Sequence, residues 1–157
     1  MSDNILERAF IDTCVCVYLY SDDEPDKKII SENAVNNYDC VISTQVLNEF
    51  SAVCIRKKKA TLDDIKEALS EMINQFTVLQ LEKEDMSKAI DIHDRYQYNY
   101  YDCLMIVSAL KSDCKYFISE DMNDGQVIEN KLTIKVIYPK TVKPNKKTHD
   151  KKIDSER

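Results

Sequence analysis

Four acids, Asp12, Glu49, Asp102 and Asp121, stand where a strand gives way to a helix or a turn, and carboxylates gathered at such places suit one kind of chemistry. Two carboxylates about 4 Å apart repel by roughly 4 kcal/mol at an effective dielectric near ~20. No Lys or Arg sits next to any of the four in sequence to offset that repulsion. If the four converge, the cluster calls for a divalent cation, and an all-oxygen ligand set selects a hard one, Mg²⁺ or Mn²⁺, rather than zinc. Acids make up 28 of the 157 residues, so position on the fold carries this argument, not residue type. Spacing alone leaves a second reading open, in which each acid is a helix N-terminal charge or a solvated loop residue.

The elements that must position these acids alternate along the chain. RAFI is a strand-like apolar run that ends at Asp12, and TCVCVYLYS after it loosens into a short helix. Pro25 opens a helix that spaces Ile30, Ala34 and Tyr38 along one face. CVIS is β-prone; Ser43 and Thr44 are cap candidates for a helix carrying Val46, Phe50 and Val53, with Glu49 near its N-terminal end. Thr61 and Asp64 have capping-box spacing ahead of an inward stripe of Ile65, Leu69, Met72 and Phe76. TVLQL is a strand candidate. EKEDMSKAIDIHDRY then predicts a helix with Met86, Ala89, Ile90 and His93 facing inward, His93 as a core or boundary histidine.

From Cys103 to Leu110 apolar residues run nearly all round, which predicts a central helix with Asp102 in its first turn. The tyrosines of YQYNYY are expected to pack on its flank with their hydroxyls in water. CKYFIS is a strand ending near Ser119, an acidic turn with the chain's one glycine, Gly125, follows, and IKVIYP closes as a last strand. The alternation implies an α/β sandwich with a mostly parallel sheet and an acidic cleft at the strand C-terminal ends. Residues 1–139 read as one domain and residues 140–157 as a basic tail, expected to be disordered.

Residues 140–157 hold seven Lys/Arg against three Asp/Glu, so residues 1–139 carry fifteen against twenty-five, a net −10. Such a body repels a polyanion unless cations intervene. The offsets are a bound divalent ion, the tail, and the run Arg56, Lys57, Lys58, Lys59 as a candidate RNA contact, though cations at a helix end also complement its dipole. The six cysteines include no C-x-x-C pair and lie mostly in apolar runs, so they are expected to be reduced and buried. No stretch approaches the ~20 apolar residues of a membrane span, and MSDNILERAF has no basic n-region, so a cytoplasmic location is expected.

FIDTCVCVYLYS, ISTQVLNEFSAV and YNYYDCLMIVSALKSDCKYFISEDMNDGQVI together resemble, in order, the motif blocks of PIN domains over residues 9–139. The likeness is nearest to the bacterial single-domain, VapC-like toxins. It implies a PIN-like three-layer α/β sandwich. It also implies that Asp12, Glu49, Asp102 and Asp121 are the catalytic acids and metal ligands, with Asp124 as a supplementary acid. Thr13 and Ser119 become hydroxyls that orient the carboxylates. The implied activity is a Mg²⁺- or Mn²⁺-dependent endoribonuclease: hydrolysis of an RNA phosphodiester by in-line attack of water, with one or two ions stabilising charge on phosphate. A small antitoxin protein that inserts a basic residue among the acids, and a homodimer, are the partners the resemblance suggests.

Cys14 departs from the family, which usually has a small polar residue there, and a thiol gives Asp12 weaker polar support. That departure and the net −10 favour an alternative, a catalytically weak or inactive PIN fold acting as a protein-binding module. A haloacid-dehalogenase-type phosphatase needs a second Asp where this chain has Cys14. A response-regulator receiver needs an acidic pair on the first strand, where residues 8–15 hold one acid.

Overall fold

The structure, a computed structural model, describes residues 4–140. The elements in chain order are β1 (Arg8–Ile11), α1 (Thr13–Leu19), α2 (Pro25–Asn37), β2 (Asp39–Ser43), α3 (Thr44–Lys57), α4 (Leu62–Gln75), β3 (Thr77–Leu79), α5 (Lys83–Tyr96), α6 (Tyr100–Lys111), β4 (Tyr116–Ser119), β5 (Val127–Ile128) and β6 (Leu132–Val136). The proposed tail falls almost wholly outside the described residues. Among those described, no helix is long and apolar enough to cross a membrane.

The strands form one sheet in the order β3-β2-β1-β4-β6-β5, parallel except for the β5–β6 pair. The chain steps from β1 to β2 to β3 in one direction, then crosses back to β4 on the far side of β1. Parallel crossovers are right-handed, so this reversal puts α1 to α4 on one face and α5 and α6 on the other. The packing agrees: α1 touches α2 and α3, α3 touches α4, and α5 lies along α6. The result is the expected three-layer α/β sandwich. Strands buried on both faces read as apolar runs, and Ala9, Phe10, Ile11, Val41, Ile42, Phe117 and Ile118 are fully buried. The Phe10 and Phe117 rings stack at 5.4 Å across the β1–β4 pair.

The capping box of Thr61 and Asp64 forms, and Ile65 and Met72 are buried beneath α4. The α6 helix is buried from Cys103 through Ala109, as a helix apolar all round must be. The expected inward face of α5 is wrong. Met86, Ile90 and His93 face solvent, and Asp85, Ala89 and Ile92 face inward. A buried carboxylate causes the rotation: Asp85 is 1% exposed, closes a reciprocal capping box with Glu82, and accepts 3.0 and 3.1 Å hydrogen bonds from Lys111 on α6. Two of the four tyrosine hydroxyls of the YQYNYY run, those of Tyr96 and Tyr98, are not left to water either. Tyr96 Oη accepts from the Glu129 amide at 2.8 Å, and Tyr98 Oη accepts from the Asn123 amide at 3.2 Å and donates to Gln126. Both tie the β5–β6 hairpin to the approach of α6. Gly125, with φ +83°, makes the turn into that hairpin.

Candidate active site

The sheet order reverses between β1 and β4, and a crevice opens beyond the carboxyl ends of strands at such a switch point. Here it is a cleft of about 550 Å³ lined by Asp12, Glu49, Asp102 and Asp121, together with Arg56, Lys57, Tyr98 and Asn99. Asp12 follows β1 directly, caps α1, and joins the β1–β4 ladder by donating its amide to Ile118 O at 3.1 Å. Glu49 reaches in from the second turn of α3, Asp102 from the first turn of α6, and Asp121 from the turn after β4. The four sequence-predicted acids thus share one cleft.

Neutral donors hold these carboxylates. Asp12 accepts from the Thr13 amide at 2.6 Å and from Ser119 Oγ at 3.1 Å. Glu49 accepts from Thr13 Oγ1 at 2.9 Å and from Gln45 Nε2 at 3.0 Å. Asn99 caps α6 by accepting the Asp102 amide at 2.9 Å, and its Nδ2 donates to Asp102 Oδ2 at 2.8 Å. Among the described residues, no Lys or Arg forms an ion pair with any of the four acids. Burial, then the Asp102 charge and to a smaller degree Glu49, pushes the Asp12 carboxyl up to about 7 against its two hydrogen bonds. Burial, then Glu49 and Asp121, also raises Asp102, against the pull of Asn99.

The remaining expected residues divide. Asp124 is not in the cleft; its Oδ1 accepts from the Val136 amide at 2.9 Å, which turns it toward the edge of β6. The basic run splits because α3 ends within it. Arg56 and Lys57 line the cleft, Lys58 adopts a left-handed conformation at the helix C-cap, and Lys59 pairs with Asp23 at 2.6 Å. Cys14 lines the cleft without bonding Asp12, and burial pushes its thiol far up. Gln45 and Asn99 were not anticipated. Both had a local signal, since Gln45 lies one helical turn before Glu49 and Asn99 lies three residues before Asp102, at N-cap spacing.

The donor set suits a hard cation, with oxygen ligands only and a mutual repulsion that no ion pair relieves, Arg56 and Lys57 lining the same cleft without pairing to the acids. Among the described residues, no three His, Cys, Asp or Glu side chains gather closely enough to enclose an ion as they stand. The cysteines are all free, as expected of reduced thiols.

The sequence matches the PIN domain model over residues 9–123, which spans β1 to the turn carrying Asp121. The chain belongs to the PIN domain family. Its fold is similar to that of a chain of a toxin-antitoxin complex from Klebsiella pneumoniae (13% identity, TM-score 0.63, covering 83% of this chain and 98% of that one). It is also similar to a chain of VapBC2 from Rickettsia felis, solved with a DNA fragment from its promoter (15% identity, TM-score 0.59, covering 81% and 98%). A third likeness is to VapC20 of Mycobacterium tuberculosis, a toxin that cleaves the sarcin-ricin loop (15% identity, TM-score 0.56, covering 69% and 86%). No curated protein matches the chain by sequence. Membership in the PIN family supports a nuclease role for the acidic cleft.

Proposed function

We propose that this PIN domain is a Mg²⁺- or Mn²⁺-dependent endoribonuclease. The observation that carries the reading is the convergence of Asp12, Glu49, Asp102 and Asp121 on one cleft at the β1–β4 switch point, with no cationic side chain paired to any of them. Asp12 and Asp102 hold the ion directly, with Asp121 and Glu49 beside them. When bound, the ion supplies positive charge where charge develops on phosphate and makes nearby water more acidic. Thr13 and Ser119 fix the carboxylate orientations, and Asn99 holds Asp102 at the start of α6. Arg56 and Lys57, on the rim of the same cleft, receive a phosphate flanking the scissile one.

The likeness to toxin-antitoxin structures supports a partner of the antitoxin kind, whose basic residue would enter this cleft. A homodimer belongs to the same proposal. The test is cleavage of a labelled single-stranded RNA with Mg²⁺, Mn²⁺ or EDTA by the native chain and by Asp102→Asn. Cleavage that requires metal and is lost in the variant is the expected result. No cleavage, or equal cleavage by both proteins, overturns the assignment and leaves a protein-binding module, the reading that the Cys14 departure favours.

A further inference from the structure

Three carboxylates follow β4, Glu120, Asp121 and Asp124, and the first of them differs from the residues on either side of it. Ser119 and Asp121 line the cleft, whereas Glu120 does not. Successive residues of an extended chain point to opposite sides, so Glu120 faces away from the site as its neighbours face into it. There both of its oxygens are engaged, by Lys27 and by Tyr18, which itself also lines the cleft. Tyr18 Oη donates to Glu120 at 2.8 Å, and Lys27 Nζ pairs with Glu120 Oε2 at 2.8 Å.

Lys27 is held from several directions. It pairs with Glu24 at 3.2 Å, donates to Tyr18 Oη at 3.1 Å, and lies 4.9 Å from the Tyr18 ring centre. The Tyr18 ring meets Tyr138 edge-on at 5.2 Å, and Tyr138 shares a 2.6 Å hydrogen bond with Ser31 on α2. The network therefore joins α1, α2, the turn after β4 and the segment after β6. It grips the peptide that carries two of the site's side chains.

We infer that Lys27 and Glu120 form a clamp that positions the Ser119–Asp121 turn for cation binding, and that Glu120 is a positioning residue and not a ligand. This rests on the nuclease reading above, because a turn needs positioning only if Asp121 and the Ser119-held Asp12 serve a cation. Without the clamp the turn keeps its sequence but loses its register against Asp12.

The test is calorimetric titration of the full chain with Mn²⁺, alongside thermal unfolding of the metal-free protein, for the native chain, Lys27→Met, Lys27→Arg and Glu120→Gln. Outer-shell partners of metal ligands set affinity by about 10-fold or more, so Lys27→Met and Glu120→Gln are expected to bind Mn²⁺ roughly 10-fold more weakly. Lys27→Arg is expected near the native value, and all metal-free unfolding midpoints near native. If Lys27→Met does not fold, Lys27→Gln takes its place on the same criterion. Native affinity in the clamp variants, with or without a lowered midpoint, overturns the clamp. So does weaker binding in Glu120→Gln combined with tighter binding in Lys27→Met, since Glu120 would then be a ligand for which Lys27 competes. A native chain that binds no Mn²⁺ overturns the nuclease reading itself, a result distinct from the other two.

Discussion

The two ends of the parallel sheet treat charge in opposite ways. At the strand N-terminal end, Arg8 pairs with Asp39 at 3.0 Å and donates to Ser112 O at 2.7 Å, Lys115 pairs with Glu7 at 2.6 Å, and Lys131 pairs with Asp113 at 2.6 Å. Each acid there has a base, and the arrangement fastens strand starts to their neighbours. At the C-terminal end, Asp12, Glu49, Asp102 and Asp121 face one cleft with hydroxyl and amide donors but no cationic partner. One end is arranged for cohesion. The other keeps acids without ionic partners in a half-buried place, at a cost to the free protein, as the proposed cation site requires.

The contrast is most easily broken by Asp102→Asn. Loss of a carboxylate at the reacting centre is expected to lower RNA cleavage by at least ~10²-fold, measured as single-turnover rate, while the unfolding midpoint holds or rises. Next in size is ligand stabilisation: Mn²⁺ at about 100 times its Kd should raise unfolding free energy by about 2.7 kcal/mol in the native chain and by far less in Asp12→Asn.

A pH effect follows from the Asp12 carboxyl, raised to about 7 in the folded chain from an ordinary 3.8. Between those values the native state keeps a proton that the unfolded chain has released. The stabilising contribution is thus complete below about 4 and is lost as pH rises through about 7, at up to ~1.4 kcal/mol per pH unit. Denaturant unfolding in EDTA should show that slope, and Asp12→Asn should flatten it. The smallest effect belongs to the opposite end. Arg8→Ala is expected to cost ~1 kcal/mol or less, as an exposed pair does, with the cleavage rate unchanged.

Legibility in the sequence followed the range of the interactions. Asp12 and Asp102 could be placed because a strand end and a helix first turn are local features, marked by RAFID and by the apolar run after Asp102. The α5 face was misread because its pattern depends on Lys111, twenty-six residues away from the Asp85 it pairs with. Asp124 was expected as a supplementary acid from the resemblance to PIN domains, yet a hydrogen bond from Val136, itself set by the hairpin, turns it elsewhere. The short β5 strand left no signal, since two residues cannot show a period. Lys58 and Lys59 read as one patch with Arg56 and Lys57 until the left-handed cap at Lys58 separated them.

The switch point also bears on how the enzyme is made. Its cleft draws on residues 12, 49, 102 and 121, and β1 pairs with β4 across more than a hundred residues of chain. A nascent polypeptide emerging from the ribosome therefore has β1, β2 and β3 long before it has the strand that completes the cleft. Pairing so distant in sequence forms late, after the loops between have closed. Until β4 arrives, Asp12 lacks Ser119 and the carboxylates lack their fourth member. Synthesis itself delays completion of the cleft until β4 has emerged.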